Sequence, residues 1–234
     1  VLASRPDFLI PISKLVKKRA QKYYLRPIEE PLYPAILNLP LAKKPQLRIN
    51  DDYFFCWGRQ VAYKQFDLII RAACELHFPL IIAGTGPQSA KLKQLASELD
   101  PMSKNIYFVD QVTDSEIAWY LQHAQAAVIP QEEDFGLTIM ESISQGCPVI
   151  VNGRSGAAEL LRPDRDAVFI SSASVDELVQ AMRKAVSLPW DNLDIRQQAR
   201  QYAEVVWQEA MMEKTMTLWN QQQKAMKGKH EQHS

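Results

Sequence analysis

Two glutamates, Glu133 and Glu141, lie in the segment 131–150, "QEEDFGLTIMESISQGCPVI", with an apolar run on each side of them. Gly136 permits close backbone approach, and a helix is expected to begin near Leu137, where free amide groups can bind an anion. In its second turn, the Glu141 carboxylate could accept both hydroxyls of a vicinal diol, while Glu133 could accept other hydroxyls from the preceding loop. The pattern fits a nucleotide sugar. For either glutamate alone, complementarity to the helix dipole is the simpler explanation.

A second cluster, "WGRQVAYKQFD" at 57–67, carries two cations. A strand is expected to end at Gly58, with Arg59 and Lys64 in the loop that follows and a helix beginning near Gln65. In an open α/β sheet the ligand crevice lies at the carboxyl ends of the strands, where two cations suit a phosphate or diphosphate. The alternative is a solvated pair of surface charges.

Short β-rich runs alternate with helical patterns from residue 53 onward, which predicts βαβ units and a parallel sheet covered on both faces. The helix starts carry their own signals, because Thr113 with Glu116 and Ser174 with Glu177 have capping-box spacing. The predicted strands are the runs "YFFCWG", "FPLIIAG", "NIYFVD", "AAVIP", "PVIVN" and "AVFI".

The two ends of the chain differ from this middle part. Residues 7–12, "DFLIPI", are strand-like, and 13–24, "SKLVKKRAQKYY", predict a basic amphipathic helix. The proline-punctuated segment 26–52 lacks sustained periodicity and is typical of an interdomain linker. Residues 194 to about 226 form one long helical pattern.

Composition narrows the class of protein. With 234 residues and 47% apolar content the chain can bury a real core, and 27 basic residues balance 27 acidic ones, so net charge does not indicate a nucleic-acid partner. Three cysteines without CxxC spacing indicate reduced core residues. No run approaches the roughly 20 apolar residues of a membrane span, and no signal peptide is evident. We expect a soluble, cytoplasmic protein, and a first residue other than methionine suggests a piece of a longer one.

The E-x7-E arrangement in "EEDFGLTIME", with "GRQVAYK", "AGTGP", "FVDQVTD" and "SQGCPVIV", closely resembles the donor half of retaining GT-B glycosyltransferases of the family 4 type. The resemblance covers about residues 53–190 in the same order. It implies a Rossmann-like doubly wound sheet, the C-terminal half of a GT-B fold. The expected substrate is a nucleotide sugar, a GDP- or UDP-sugar, with no obligatory metal or other cofactor. "EEDFG" resembles mannosyltransferase-like members, which favours GDP-mannose.

The resemblance also implies a role for each matching residue. Arg59 and Lys64 would hold the donor diphosphate and stabilise the leaving nucleotide, and Glu133 would contact sugar hydroxyls. Glu141 would bind ribose, and Glu159 matches a third, supporting acidic position. The other donor-binding residues implied are Gly58, Phe135, Gly136, Leu137 and Thr138 around sugar and phosphate, and Asp110, Gln111 and Val112 around the base.

Some residues depart from the family pattern. Thr85 stands where an acid is common and Asp110 where glycine is common, which puts the base preference in doubt, and Ser155 replaces a usual glycine. A complete enzyme of this kind also needs about one more domain. The implied organisation is a remnant of the acceptor-binding N-terminal domain at 1–25, the linker at 26–52, the donor-binding domain at 53–190, and a helix crossing back to the N-terminal domain at 191–234.

We therefore expect donor binding without efficient transfer by these residues alone, and the missing acceptor domain as a partner. A donor-binding subunit of a split glycosyltransferase, and a GT-B-fold phosphorylase or epimerase, stay open as alternatives. The basic helix with Lys14, Lys17, Lys18, Arg19 and Lys22 is either a solvated face or a peripheral contact with anionic lipid at the cytoplasmic side of a membrane.

Overall fold

A six-stranded parallel sheet forms the centre of the computed structural model, which describes residues 6–36, 39–47 and 52–231. Each of the six apolar runs forms a strand, so these predictions are confirmed. The strands are β1 (Phe54–Trp57), β2 (Leu80–Ala83), β3 (Ile106–Val109), β4 (Ala126–Ile129), β5 (Val149–Asn152) and β6 (Ala167–Ile170).

Helices connect the strands and flank the sheet. They are α1 (Lys14–Tyr24), α2 (Phe66–Leu76), α3 (Ser89–Leu99), α4 (Asp114–His123), α5 (Leu137–Ser144), α6 (Val175–Ser187), α7 (Asn192–Ala199) and α8 (Glu204–Glu231). Short 3-10 turns cover Ala62–Lys64, Gly156–Leu160 and Arg200–Tyr202.

Both faces of the sheet are buried. Successive strand residues point to opposite faces, so in β1 Phe55 and Trp57 join one hydrophobic cluster and Phe54 and Cys56 the other. Helices α4, α5 and α7 cover the first face, and α2, α3 and α6 cover the second. This burial explains why the strands appear in the sequence as nearly continuous apolar runs.

The strand order is β3-β2-β1-β4-β5-β6, with every neighbouring pair parallel. The order reverses between β1 and β4, and an open sheet of this kind binds its ligands outside the carboxyl ends of the strands at that reversal. The prediction of an α/β, Rossmann-like, doubly wound sheet is confirmed. The loops after β1 and β4, which carry Arg59, Lys64 and Glu133, flank this point.

The strand predicted at 7–12 is wrong, because the structure has neither helix nor strand there. Two backbone hydrogen bonds tie the segment to the residues after α1, from the Glu29 amide to the Leu9 carbonyl (3.0 Å) and from the Leu32 amide to the Pro11 carbonyl (2.9 Å). Pro11 has no amide hydrogen for a ladder. The basic helix α1 after it is confirmed.

The single long helix predicted over 194–226 is also wrong. Helix α7 ends at Ala199, the turn Arg200–Tyr202 follows, and Ala203 is extended (φ −62°, ψ 155°) before α8 begins. Ala203 forms an isolated parallel bridge with Ile36, whose amide donates to the carbonyl oxygen at the end of the turn (2.8 Å). A contact with the distant linker therefore interrupts the helical periodicity.

The capping predictions have different outcomes. At α4, the Thr113 hydroxyl accepts from the Glu116 amide and the Glu116 carboxylate accepts from the Thr113 amide, so the capping box is confirmed. At α6, the Ser174 hydroxyl accepts from the Glu177 amide, but the Glu177 carboxylate binds the amides and hydroxyls of 171–172 instead. These donors lower the pKa of Glu177 to about 2.

The linker prediction can be compared only in part, since 37–38 and 48–51 lie outside the described residues, as do 1–5 and 232–234 at the chain ends. The described linker residues contain neither helix nor strand apart from the bridge at Ile36. The three cysteines are free, and two of them are buried. No helix in the described chain is long and apolar enough to cross a membrane.

Candidate functional site

The loop after β1 places a cation over its own glycine. Gly58 follows β1 with φ +121°, a conformation that favours glycine. The loop folds back through the 3-10 turn, so that a Cβ added to Gly58 would lie 3.0 Å from Lys64 Nζ. Arg59 is exposed beside it. Within the described residues, neither cation has a hydrogen bond or ion pair through its side chain, so both are available to an anion.

The loops after β1 and β2 pack backbone against backbone. Gln60 is buried, and its side-chain amide donates to the Gly84 carbonyl (2.6 Å) while its backbone amide donates to the Thr85 carbonyl (3.0 Å). A Cβ on Gly84 would meet the Gly58 carbonyl oxygen at 2.5 Å, so this approach requires glycine. Sequence reasoning missed Gln60, since a glutamine in a loop carries no signal of burial.

The loop after β4 carries Glu133. Its carboxylate accepts from the Gln131 side-chain amide (2.8 Å), and its backbone amide donates to the Ser155 hydroxyl (3.1 Å). The Ser155 hydroxyl in turn donates to the Gln131 carbonyl (3.2 Å). The serine that departs from the family pattern therefore bonds the loop at Gln131 and at Glu133 itself.

Helix α5 begins beside this loop, as predicted. Gly136 precedes it with φ +100°, and no side chain among the described residues caps it. The Ile139 amide donates to the Gly136 carbonyl (3.0 Å), and the amides of Leu137 and Thr138, which have no intrahelical acceptor, can bind an anion. A Cβ on Gly136 would meet Ile139 Cδ1 at 2.6 Å, which adds a packing reason for glycine here.

A cavity of about 350 Å³ joins these two regions. It contacts Lys64 from the loop after β1, Glu133 from the loop after β4, and the start of α5. The structure thus brings together six of the predicted site residues, which come from two separate segments of the chain. The predicted residues in the lining are Lys64, Glu133, Phe135, Gly136, Leu137 and Thr138, and the additional ones are Ile12, Pro34 and Tyr63.

Glu141 lies one turn further along α5 and lines a neighbouring cavity of about 290 Å³ with Trp207 and 34–36 of the linker. Burial, reinforced by the nearby Asp114 carboxylate, raises the pKa of Glu141, and the Lys64 ammonium partly offsets this shift. Glu141 is therefore electrostatically coupled to the cation of the first cavity. Pro34 and Leu137 line both cavities.

The loop after β3 lies apart from these cavities. Asp110 is exposed and forms an ion pair with Lys93 (2.7 Å), while Gln111 is exposed and Val112 packs on the core. The predicted base-recognition residues are thus at the crevice edge but do not line the cavity of Lys64 and Glu133. Lys93 gave no sequence signal, because its partner is on the next strand-to-helix loop.

Glu159 faces α1 instead of the cavity of Glu133. Its carboxylate accepts from the Lys14 backbone amide (2.9 Å). Burial, and after it the Glu159 carboxylate, raises the pKa of Tyr33 to about 12. A cavity of about 700 Å³ lies here between α1 and the ends of β5 and β6, with Lys18 and Arg154 in its lining. The basic helix therefore directs part of its charge toward the rest of the protein.

The sequence model of a family described as Glycosyl transferases group 1 matches residues 41–205, more than half of the chain. The chain therefore belongs to the glycosyl transferases group 1. An uncharacterized glycosyltransferase of Bacillus subtilis (strain 168), YqgM, is 26% identical over 183 residues, which are 76% of this chain and 50% of the relative.

A second relative is named GDP-mannose-dependent alpha-(1-6)-phosphatidylinositol dimannoside mannosyltransferase and comes from Mycobacterium tuberculosis (strain ATCC 25177 / H37Ra). It is 32% identical over 142 residues, 59% of this chain and 35% of the relative. The chain thus spans half or less of the length of these two relatives.

Solved structures show the same fold. The apo form of the lipopolysaccharide outer core galactosyltransferase WaaB superimposes with a TM-score of 0.74 at 17% identity, covering 92% of this chain and 63% of that one. Sucrose-phosphate synthase from Thermosynechococcus elongatus superimposes with a TM-score of 0.78 at 18% identity, and the match covers 94% of this chain and 60% of that one. The chain shares the matched part of the GT-B glycosyltransferase fold with them.

Proposed function

We propose that this chain is the donor-binding part of a retaining glycosyltransferase of the family 4 type. The whole enzyme would transfer a hexose from a nucleotide sugar to a glycan or lipid-linked acceptor. The observation that carries the proposal is the cavity of about 350 Å³ in which Lys64, without an ion pair in the described chain, faces Glu133 and the uncapped start of α5. It offers a cation and amides to a diphosphate and a carboxylate to sugar hydroxyls.

Each element of the site has its own role in the proposal. Lys64 in the cavity, with the exposed Arg59 of the same loop, binds the diphosphate, and the first α5 amides complete the anion site. Glu133 accepts hydroxyls of the sugar, and Glu141 accepts the ribose hydroxyls. Main-chain groups of 110–112, at the edge of the crevice, contact the base.

The donor is a GDP- or UDP-sugar, and we favour GDP-mannose. The Mycobacterium tuberculosis relative named as GDP-mannose-dependent is 32% identical over its matched part, and "EEDFG" around Glu133 resembles mannosyltransferases. The galactosyltransferase among the structural neighbours keeps UDP-hexoses as the alternative.

Front-face displacement fits this arrangement. The bond between the sugar anomeric carbon and the diphosphate oxygen breaks, and the electron pair leaves with the nucleoside diphosphate, whose added charge Arg59 and Lys64 stabilise. The acceptor hydroxyl bonds to the anomeric carbon from the same face and gives its proton to the departing phosphate oxygen. Glu133 orients the sugar in this scheme and forms no bond to it, while a double displacement stays the alternative.

An acceptor-binding domain must complete the enzyme. It would correspond to the part of the relatives that this chain does not match, either in the same polypeptide or in a separate subunit. We place the reaction in the cytoplasm, with contact at the cytoplasmic face of a membrane through α1 as an option. Of the α1 cations, Lys17 pairs with Glu30 (2.5 Å) and Arg19 with Glu132 and Asp134, which leaves less charge for lipid.

Thermal-shift measurements with GDP, UDP and ADP, each beside a sugar conjugate, test this function. A ligand at 100 times its dissociation constant stabilises the folded state by about 2.7 kcal/mol. We expect the nucleotide with one of these bases to raise the melting temperature most, and its sugar conjugate to raise it more than the plain nucleotide does. Glu133→Ala should remove only the additional stabilisation by the sugar conjugate and leave the stabilisation by the plain nucleotide. A protein stabilised by none of these ligands would refute donor binding.

A further inference from the structure

The segment from Gln131 to Gly136, called the Glu133 loop here, has neither helix nor strand. Its conformation therefore depends on bonds to other parts of the chain. A carboxylate that recognises particular hydroxyls needs a fixed backbone, because a displacement of a few tenths of an ångström weakens directional hydrogen bonds. The question is which residues supply that rigidity.

One side of the Glu133 loop rests on the residues after β5. The Ser155 hydroxyl, in a residue only 3% exposed, accepts from the Glu133 amide (3.1 Å) and donates to the Gln131 carbonyl (3.2 Å). Two backbone bonds continue this contact, from the Gly156 amide to the Glu133 carbonyl (2.9 Å) and from the Ala157 amide to the Phe135 carbonyl (2.7 Å).

Helix α1 holds the loop through Asp134. Ser13, which is 0% exposed, caps this helix by accepting from the Val16 amide (3.1 Å), and its hydroxyl donates to the Asp134 carbonyl (2.6 Å). Arg19, two turns further on, contacts the carboxylates of Asp134 and Glu132 with its two terminal nitrogens. Residues more than a hundred positions apart in sequence thus meet at the loop.

The two supports also meet each other. A Cβ added to Gly156 would overlap the Asp134 carbonyl oxygen and would lie 2.6 Å from Ser13 Cβ and 2.7 Å from Ser13 Oγ. The backbone after β5, the Glu133 loop and the start of α1 are therefore packed without space for one further methyl group. Loss of either hydroxyl leaves a backbone group of the Glu133 loop without its partner, which favours a shifted loop.

We propose that Ser13, Arg19 and Ser155 are positioning residues that fix the Glu133 loop and so set how the site distinguishes a nucleotide sugar from its plain nucleotide. The inference rests on the proposed function, in which Glu133 accepts sugar hydroxyls. It assigns α1 a part in donor recognition although α1 does not line the cavity of Glu133.

The experiment is isothermal titration calorimetry of the full 234-residue chain with GDP and GDP-mannose, or with UDP and UDP-glucose if the wild-type protein selects that pair. The readout is the affinity ratio of sugar conjugate to nucleotide, which a loss of stability alone does not change. We expect Ser13→Ala and Ser155→Ala each to lower this ratio by about fivefold. Ser155→Thr, which keeps the hydroxyl, should restore part of the ratio.

Ser142→Ala is the matched control, because the Ser142 hydroxyl is equally buried but donates only to the Thr138 carbonyl within α5 (2.8 Å). Its ratio should equal that of the wild type. If a serine variant does not fold, Arg19→Ala tests the same inference, because Arg19 is exposed and its replacement should leave the protein folded. Wild-type ratios in folded Ser13, Ser155 and Arg19 variants, or an equal fall in the control, would overturn the inference. A wild-type protein with no preference for the sugar conjugate would instead count against the proposed role of Glu133.

Discussion

The loops after β1 and β4 face the same cavity but differ in whether their charged side chains already have partners. In the loop after β4, the Glu133 carboxylate already accepts a hydrogen bond, and the backbone around it is bonded to Ser155 and Ser13. In the loop after β1, Arg59 and Lys64 have no such partner within the described chain. The acidic side is therefore preorganised, while the basic side needs an anion to complete its hydrogen bonds.

The largest expected effect follows from the unpaired cations. Replacing Arg59 and Lys64 together by alanine should weaken nucleotide binding by at least about a hundredfold, because two charge-assisted hydrogen bonds are lost. The melting temperature of the free protein should change little, since neither side chain has a hydrogen bond or ion pair to lose among the residues that the structure describes. Calorimetry and thermal unfolding of the same samples measure both quantities.

Lys91→Ala is the control for this double variant, because Lys91 is an exposed cation on α3 outside the cavity of Lys64. It should bind nucleotide like the wild type. If the double variant also bound normally, the basic side of the comparison would have no role in the site.

For the tightly packed Glu133 loop, we expect a large effect on stability instead of on nucleotide binding. Gly156→Ala should lower the free energy of unfolding by about 2 kcal/mol, since its Cβ has no space between Asp134 and Ser13. Gly153→Ala is the matched control, because its nearest contact would be an ordinary 3.7 Å to the Ile170 carbonyl oxygen. Chemical denaturation that gave equal values for both would show that the Glu133 loop is loosely packed.

A third prediction concerns Glu141, a carboxylate on α5 whose pKa is influenced by Lys64 of the loop after β1. Its raised pKa means that it protonates, as pH falls, before an ordinary glutamate does, and a neutral carboxyl accepts ribose hydroxyls poorly. Nucleotide affinity should therefore fall by about tenfold as the pH drops through this raised pKa. Titration calorimetry at several pH values measures this, and Glu141→Gln should bind weakly with little pH dependence.

As the pH falls, the contribution of Glu141 to the stability of the fold should increase while nucleotide affinity decreases. A folded-state pKa above the unfolded value means that Glu141 stabilises the fold below the ordinary value of 4.5, and that this contribution is lost as pH rises through the raised pKa. Thermal unfolding of wild type and Glu141→Gln across the same pH values separates the two effects. Affinity that did not fall on acidification would contradict a ribose-binding carboxylate.

The smallest effect is expected at the crevice edge. The Lys93–Asp110 pair is exposed, and such pairs contribute about 0–1 kcal/mol, so Lys93→Ala should change stability by less than about 0.5 kcal/mol. Nucleotide affinity should also stay within about twofold. A larger loss of affinity, measured by calorimetry, would show that Lys93 belongs to the basic side of the site.

Sequence reasoning anticipated six residues that line one candidate cavity, because the signals of these residues are local. Gly58, Gly136 and the helix start at Leu137 lie where they were predicted, and six predicted residues line one cavity. The supporting residues were missed for the opposite reason. Nothing in the sequence near Ser13 indicates that its hydroxyl bonds Asp134, since the pair is 121 residues apart.

The sequence by itself determined the six strands of the middle part, because a parallel strand buried on both faces is a short apolar run and a helix start carries its own cap. The doubly wound arrangement was implied only by the resemblance to GT-B glycosyltransferases, and the strand order came from the structure. Only the tertiary structure decided that 7–12 is not itself a strand and that α7 and α8 are separate helices. It also decided which buried hydroxyls hold the Glu133 loop. Such features depend on contacts between distant segments, whose free energy is realised only after the sheet has brought them together.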